Sequence, residues 1–349
     1  MRIQLLSEGG GIGDILQRLG IAQAIKAVMP EAELWFFVQD MLAGWVQLTR
    51  AVDKIATISA RARRGLHTVP DPLTHPYLNT GGPFDAIIDL YDPADSYEVY
   101  SAGPITIGRQ LIYRRVANAV LGVNLPPMLA KLVISKQDLL VARTKLVSLL
   151  GKPLSFIVGL QPLAHWAWRS LSFTQVKDIV MRLTRAGAQC VFFHHTADPI
   201  VSWAKEVGAV AVINEPAGAL AAMVSLCDLI VSADSGFFHI AGTLGVPAVG
   251  VFAQTDGDAT SAEYPSCKGI TAGPTEREGL LCRFPCYRRT AYGCNWPVCE
   301  KGCRALRRVN AKYIVATALK LLRIRRGTHL AQADRMRRLF RGSYSCETT

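Results

Sequence analysis

No run of the 349-residue chain supplies the ~18–20 clean apolar residues that a membrane-crossing helix needs. The best candidate, Ile240–Gln254, is too short and contains Gly and Pro. The opening residues, MRIQLLSEGGGIGD, lack the apolar core of a signal peptide and read as a first strand. Both absences lead to the expectation of a cytoplasmic protein with reduced thiols. Charge is sparse as well. Only 19% of residues are charged against 50% hydrophobic, which excludes a disordered chain. Gly (29) and Pro (18) are at ordinary levels, which excludes collagen-like and low-complexity classes. Self-similarity at a period of about 20–50 residues is missing too, and with it the signature of repeat architectures.

What is present points to a large α/β protein. At roughly 100–200 residues per domain, the length suggests two domains, with enough core to dispense with disulfide staples. The net charge of +12 is concentrated at one end. Residues 301–349 carry 13 Lys/Arg against Asp334 and Glu347, a net +11, so the body is near neutral. This argues against a nucleic-acid-binding body and for a basic tail that either meets an anionic partner or is simply solvated. Within it, Arg335–Arg341 interleaves Arg with Met336, Leu339 and Phe340, a composition suited to an anionic bilayer surface. No aromatic stacking platform or nucleic-acid motif accompanies the tail, so nucleic acid is the weaker partner.

The hydrophobic pattern alternates strands and helices. Arg2–Ser7 reads as a strand, and a helix follows until Met29-Pro30 stops it. Ala32–Val38 is a strand, Met41–Leu48 is helical, and a strand lies around Lys54–Ser59. Residues 60–82 read as a long loop, Ala86–Tyr91 as a buried strand and residues 106–121 as a helix. A second series begins after Gly151-Lys152-Pro153, with strands at Ser155–Gln161, Ala188–His194, Ala209–Asn214, Asp228–Ala233 and Pro247–Phe252, the last clear one. Helices are expected between them at Phe173–Ala186, Ile200–Val207, Ala217–Leu226 and Phe237–Leu244, and an amphipathic helix at 310–325. Such alternation is the mark of parallel sheets covered on both faces. Two doubly wound units would face each other and bind ligands at the carboxyl ends of their strands.

Three stretches carry chemistry. In Gly9-Gly10-Gly11-Ile12-Gly13-Asp14, glycines after a strand allow close backbone approach, and the next helix offers free N–H groups to an anion. It is neither G-x-G-x-x-G nor a Walker A loop, and Asp14 acting only as a helix cap remains an alternative. In Ser232-Ala233-Asp234-Ser235-Gly236-Phe237-Phe238-His239, a buried strand runs into a helix whose first turn exposes N–H groups at Ser235 and Gly236. His239 lies one turn later on the same face. The polar exit Thr255-Asp256-Gly257 follows the next strand. Third, Cys282, Cys286, Cys294, Cys299 and Cys303 occupy 22 residues with spacing C-x3-C-x7-C-x4-C-x3-C. A structural Zn or Fe, free thiols and disulfides all remain open for them. Cys190 and Cys227 read as buried hydrophobes.

The stretch LIVSADSGFFHIAGTLGVPAVGVFAQTDG resembles the signature of the ADP-heptose:lipopolysaccharide heptosyltransferases, glycosyltransferase family 9. GGIGDILQRLGIAQAIKAVMPEAEL and GLQPLAHWAWRSLSFTQVKDIVMRLTRAGAQCVFF are similar to that family's N-terminal and middle segments, in order, from about residue 2 to 320. The resemblance implies a GT-B fold of two Rossmann-like doubly wound domains. The acceptor would bind residues 1–150 and the donor nucleotide residues 151–325, with 326–349 as a basic tail. It also implies an inverting transfer that needs no metal or other catalytic cofactor. Asp14 matches the family's catalytic Asp, the base on the acceptor hydroxyl. Arg169 is the nearest match to its phosphate-binding Lys. Gly13, Asp234, Ser235, Gly236, His239, Thr255 and Asp256 fall in donor-binding segments. The family often carries a Cys-rich segment where Cys282–Cys303 lies. Two segments depart from its pattern: Gln161-Pro162-Leu163-Ala164 and Phe252-Ala253-Gln254-Thr255-Asp256-Gly257. The implied partners are a nucleotide-sugar donor, a saccharide or lipid-linked acceptor and, through the tail, the inner membrane face. A sugar-nucleotide epimerase and a non-catalytic sugar-nucleotide or glycan-binding module stay open as alternatives.

Overall fold

The structure, a computed structural model, describes residues 1–7, 10–58, 83–90, 108–165, 167–253, 255–272 and 303–323. The first half forms β1 (Arg2–Ser7), α1 (Ile12–Val28), β2 (Glu33–Gln39), α2 (Ala43–Val46), β3 (Lys54–Ile58), β4 (Ala86–Asp89), α3 (Arg109–Leu121) and α4 (Lys136–Leu150). The second forms β5 (Ile157–Gln161), α5 (Phe173–Arg185), β6 (Gln189–His194), α6 (Ile200–Glu206), β7 (Val210–Ile213), α7 (Ala217–Ser225), β8 (Leu229–Ala233), α8 (Gly236–Thr243), β9 (Ala248–Phe252), α9 (Gly257–Ser261), β10 (Cys267–Thr271) and α10 (Arg304–Arg308). A last helix, α11, spans 311–323.

The strands make two sheets, ordered β3-β2-β1-β4 and β10-β9-β8-β5-β6-β7, and every pairing is parallel. The second order, counted from β5, is the doubly wound arrangement 3-2-1-4-5-6. In each sheet the winding reverses beside its first strand, between β1 and β4 and between β5 and β8. The strands are apolar on both faces: β8 and β9 are buried along their whole length, as parallel strands between helix layers must be. This is the doubly wound α/β architecture expected from the pattern, and it agrees with the GT-B fold that the resemblance implies.

Several details differ from the expectation. Met41–Leu48 is a 3-10 turn (Asp40–Leu42) followed by the four-residue α2, not one helix. β10 pairs with β9 as an additional edge strand; CKGIT carries Lys and Gly and shows no apolar run. Residues 136–150, unassigned in the sequence, form α4. Its Ser135 side chain caps Asp138 N–H, and Gly151 closes it in the left-handed conformation. The expected loop 60–82 and the tail 326–349 lie outside the described residues, as do most residues of the Cys segment.

The two halves share a core. One buried cluster runs from Ile3, Leu5, Ile15 and Leu16 to Phe237, Phe238 and Tyr264. Helix α4 packs on α7 of the second half, with Lys145 paired to Glu215. A second cluster lies under the other face of the larger sheet, where Ile314 and Ala318 of α11 join Val158, Leu160 and Val231. Among the described residues no helix is long and apolar enough to cross a membrane.

Candidate active site

Helices α1 and α8 leave the carboxyl ends of β1 and β8, one from each sheet, and their first turns abut. A Cβ on Gly236 would lie 2.8 Å from Ile12 Cβ and 3.2 Å from the Gly13 amide nitrogen. Only glycine permits that approach. Two helix N-termini, each carrying a partial positive charge, therefore converge beside both winding reversals.

Asp14 stands on the α1 side of this junction, in the third position of the helix. Its Oδ2 accepts the Gly11 N–H at 2.8 Å, reaching back across the first turn as in half a capping box. Its Oδ1 faces the guanidinium of Arg109, the first residue of α3. Asp14 is thus more than a helix cap. Burial alone would raise its pKa, but Arg109, Arg18 and the Gly11 N–H outweigh burial and hold the carboxyl well below the usual range. Arg18 is 1% exposed. It donates to Ser7 Oγ at 2.8 Å and lies 5.2 Å from the Tyr113 ring centroid.

Asp234 stands on the α8 side, almost fully buried. Arg169, in a 3-10 turn after β5, clamps it with both arms: Nε to Oδ2 at 3.0 Å and Nη2 to Oδ1 at 2.6 Å. Burial disfavours the charged guanidinium, yet the Asp234 carboxylate overrides this and raises the Arg169 pKa. Thr255 Oγ1 donates to Asp234 Oδ2 at 3.1 Å. Ser235 donates to Gln161 at the end of β5, and its Oγ lies 3.0 Å from that of Ser232. The departure from the family pattern at Gln161 therefore sits inside the site, bonded to the Ser of the Asp-Ser-Gly turn.

The structure thus brings Gly13, Asp14, Arg169, Asp234, Ser235, Gly236 and Thr255 together. His239 faces α1 rather than open space: its Nδ1 is 3.0 Å from Tyr264 Oη and 3.4 Å from Gln17 Nε2. Burial drives its pKa down to about 4, so it is neutral at pH 7. Asp256 caps α9, accepting the Ala259 N–H at 3.0 Å. Of the Cys cluster only Cys303 is described, buried ahead of α10. Cys282, Cys286, Cys294 and Cys299 lie outside the described residues, among which no group of three metal-ligating side chains occurs. Cys190 and Cys227 are buried free thiols, as expected. Sequence reasoning missed Arg109, Arg18 and Tyr264. No local signal marks Arg109, which is 95 positions from Asp14.

In sequence, residues 112–280 match the model of glycosyltransferase family 9 (heptosyltransferase). No curated protein matches the chain. Among solved structures, it resembles a family 9 glycosyl transferase from Veillonella parvula, with 14% identity, a TM-score of 0.68, and coverage of 92% of this chain and 97% of the other. The E. coli ADP-heptose lps heptosyltransferase II gives 14% identity and a TM-score of 0.65 over 93% and 100% of the two chains. The iron-containing dodecameric glycosyltransferase TibC from enterotoxigenic E. coli gives 13% and 0.60 over 92% and 76%.

Proposed function

From the glycosyltransferase family 9 domain that residues 112–280 carry, we propose that this glycosyltransferase moves a sugar from a nucleoside-diphosphate donor to a saccharide acceptor with inversion. The donor is taken as ADP-heptose, the sugar nucleotide named for a structural relative, and the acceptor as a lipopolysaccharide-type glycan. The observation that carries the reading is the junction of α1 and α8. It sets a carboxylate from one sheet beside the N-terminal turn of a helix from the other.

In this reading Asp14 takes the acceptor hydroxyl proton as that oxygen attacks the anomeric carbon. The anomeric C–O bond to the diphosphate breaks, and its electron pair leaves with the nucleoside diphosphate. The N–H groups of Ser235 and Gly236, with Arg169, stabilise the charge that grows on the diphosphate. Thr255 and Gln161 hold Asp234 and Ser235 in place. Asp256 supports the donor loop as a helix cap, and His239 supports the site by locking α8 to α1. No step uses a metal. A Zn or Fe held by Cys282–Cys303 would be structural, a reading encouraged by the relative described as iron-containing. The basic tail would hold the enzyme on an anionic inner membrane surface.

Calorimetry with a panel of nucleoside diphosphates and nucleotide sugars tests the proposal. ADP and ADP-sugars should bind more tightly than their UDP counterparts, and ADP-heptose should be consumed when a heptose-accepting glycan is supplied. Binding of a UDP-sugar alone would overturn the donor assignment. Interconversion of a sugar nucleotide without transfer would favour the epimerase.

A further inference from the structure

A cavity of about 400 Å³ opens in the first half of the chain. It lies at the carboxyl end of α1, and Asp14 lies at the other end of that helix. At 1.5 Å of rise per residue, Lys26 in its wall stands roughly 18 Å along the helix from Asp14. The cavity is therefore separate from the candidate active site. Its other walls are the segment between α2 and β3, with Arg50, and the segment between α3 and α4, with Lys131. Three stretches distant in sequence build it.

The last two stretches run antiparallel. Thr49 bridges Leu132, and the Val133 N–H donates to the Leu48 carbonyl at 2.6 Å. In that register Arg50 stands opposite Lys131. Residues so placed have Cβ atoms about 4.5–5.5 Å apart, and like charges there repel. Neither side chain has an acidic partner among the described residues. The third cation of the wall, Lys26, is already engaged. Its Nζ lies 2.7 Å from Asp53 Oδ2 and donates to the Ala32 carbonyl at 2.6 Å. Asp53 is also tied to the Leu34 N–H at 2.7 Å. Arg50 and Lys131 therefore face the cavity as an uncompensated pair of positive charges. Gln23, half-buried in the same wall, makes no hydrogen bond among the described residues.

We propose that this cavity is a binding site for a phosphate monoester, held between Arg50 and Lys131. A monoester carries about −1.5 to −2 charges at pH 7 on three acceptor oxygens, which matches the two cations. A guanidinium grips two such oxygens side by side, and an ammonium serves the third as a point charge. The bound anion turns a repulsive pair into two attractive contacts, and a concave wall concentrates their field on it. Gln23 adds a neutral donor. The cavity is larger than a phosphate group, which takes the space of a few waters at ~30 Å³ each. Pro30, Ala51 and Val133 line the remainder, an apolar wall for the group that the phosphate esterifies. A phospholipid headgroup and a soluble phosphorylated compound share this chemistry. The site does not depend on the proposed sugar transfer.

The test is calorimetry of the full chain, at fixed ionic strength, with inorganic phosphate and with a short-chain, monomeric phosphatidic acid. Both should bind, and R50Q and K131Q should each weaken binding about tenfold, the lower end of what a hydrogen bond to a charged group contributes. Tighter binding of the phosphatidic acid supports the site with a lipid as its source. Equal affinity for the two supports it with a soluble phosphate as its source. R337Q/R338Q, which neutralises part of the basic tail, should change neither titration; loss of binding there, with R50Q and K131Q unaffected, moves the anion to the tail and overturns the cavity. Failure of the wild type to bind either probe also overturns it. Thermal melts give a second reading. Without phosphate, R50Q should be at least as stable as the wild type, because the repulsion across the bridge is gone. With phosphate, the wild type should gain more in Tm than R50Q, and equal gains would exclude Arg50 as a ligand.

Discussion

Gly13 and His239 are in contact across the two halves of the chain: a methyl on Gly13 would lie 2.5 Å from the imidazole Cδ2. The ring is wedged between α1 and Tyr264, so the α1–α8 junction depends on His239 staying neutral and glycine staying at 13.

His239 makes the fold sensitive to acid. Its pKa is about 4 in the folded protein against an ordinary 6.5. Between those values the unfolded chain binds a proton that the folded chain does not, so stability rises with pH across this window. The contribution is complete above pH 6.5 and is lost as pH falls towards 4, with a ceiling of about 3 kcal/mol. Denaturant melts of wild type and His239→Gln between pH 7 and 4 check this. The wild type should lose stability more steeply, and parallel curves would exclude His239 as the source.

Asp14→Asn should lower turnover by ~10²–10⁴ while the protein stays folded. The substitution removes the basic oxygen and keeps the shape. Steady-state rates at saturating donor and acceptor measure it, and near-wild-type turnover would remove Asp14 from the base role.

Breaking the Arg169–Asp234 clamp should have two separable effects. Arg169→Met leaves a buried carboxylate unpaired and should cost about 3 kcal/mol of stability. Adding Asp234→Asn should restore most of that loss. Donor affinity should stay low in both variants, because the guanidinium is gone. Thermal melts paired with nucleotide titrations separate the two. Recovery of donor binding in the double variant would make Arg169 purely structural.

The Cys282–Cys303 segment should bind about one Zn or Fe per chain when the protein is purified without a histidine tag. Replacing two of these cysteines should lower stability, since metal affinity becomes folding free energy. Elemental analysis and melting curves decide the matter. A metal-free protein whose thiols titrate without effect on stability would leave only the thiol reading.

Binding to anionic vesicles should be strong at low salt and weak at high salt, because the Debye length falls from ~10 Å at 0.1 M to ~3 Å at 1 M. A chain ending at Thr328 should lose most of this binding yet still act on a short soluble acceptor. Equal flotation of both chains would refute the tail's role. Salt-sensitive binding to RNA, with none to vesicles, would move the partner to nucleic acid.

The residue order by itself determined the βα alternation, because helix and strand periodicities are local and are written in consecutive residues. The same holds for the Asp234-Ser235-Gly236 turn, where strand, turn and helix follow within a few positions. Edge strand β10 and helix α4 escaped for the converse reason. The strand is short and carries Lys268 and Gly269, and the helix leaves Leu140, Val141, Val147 and Leu149 exposed, so its apolar pattern marks no single buried face. Only the tertiary structure decided that Asp14 meets Arg109, that Arg169 closes on Asp234 and that Gly13 receives His239. Those partners lie 95, 65 and 226 positions apart. Their meeting depends on the order of strands in two sheets and on how the sheets' helices pack, which no local spacing encodes.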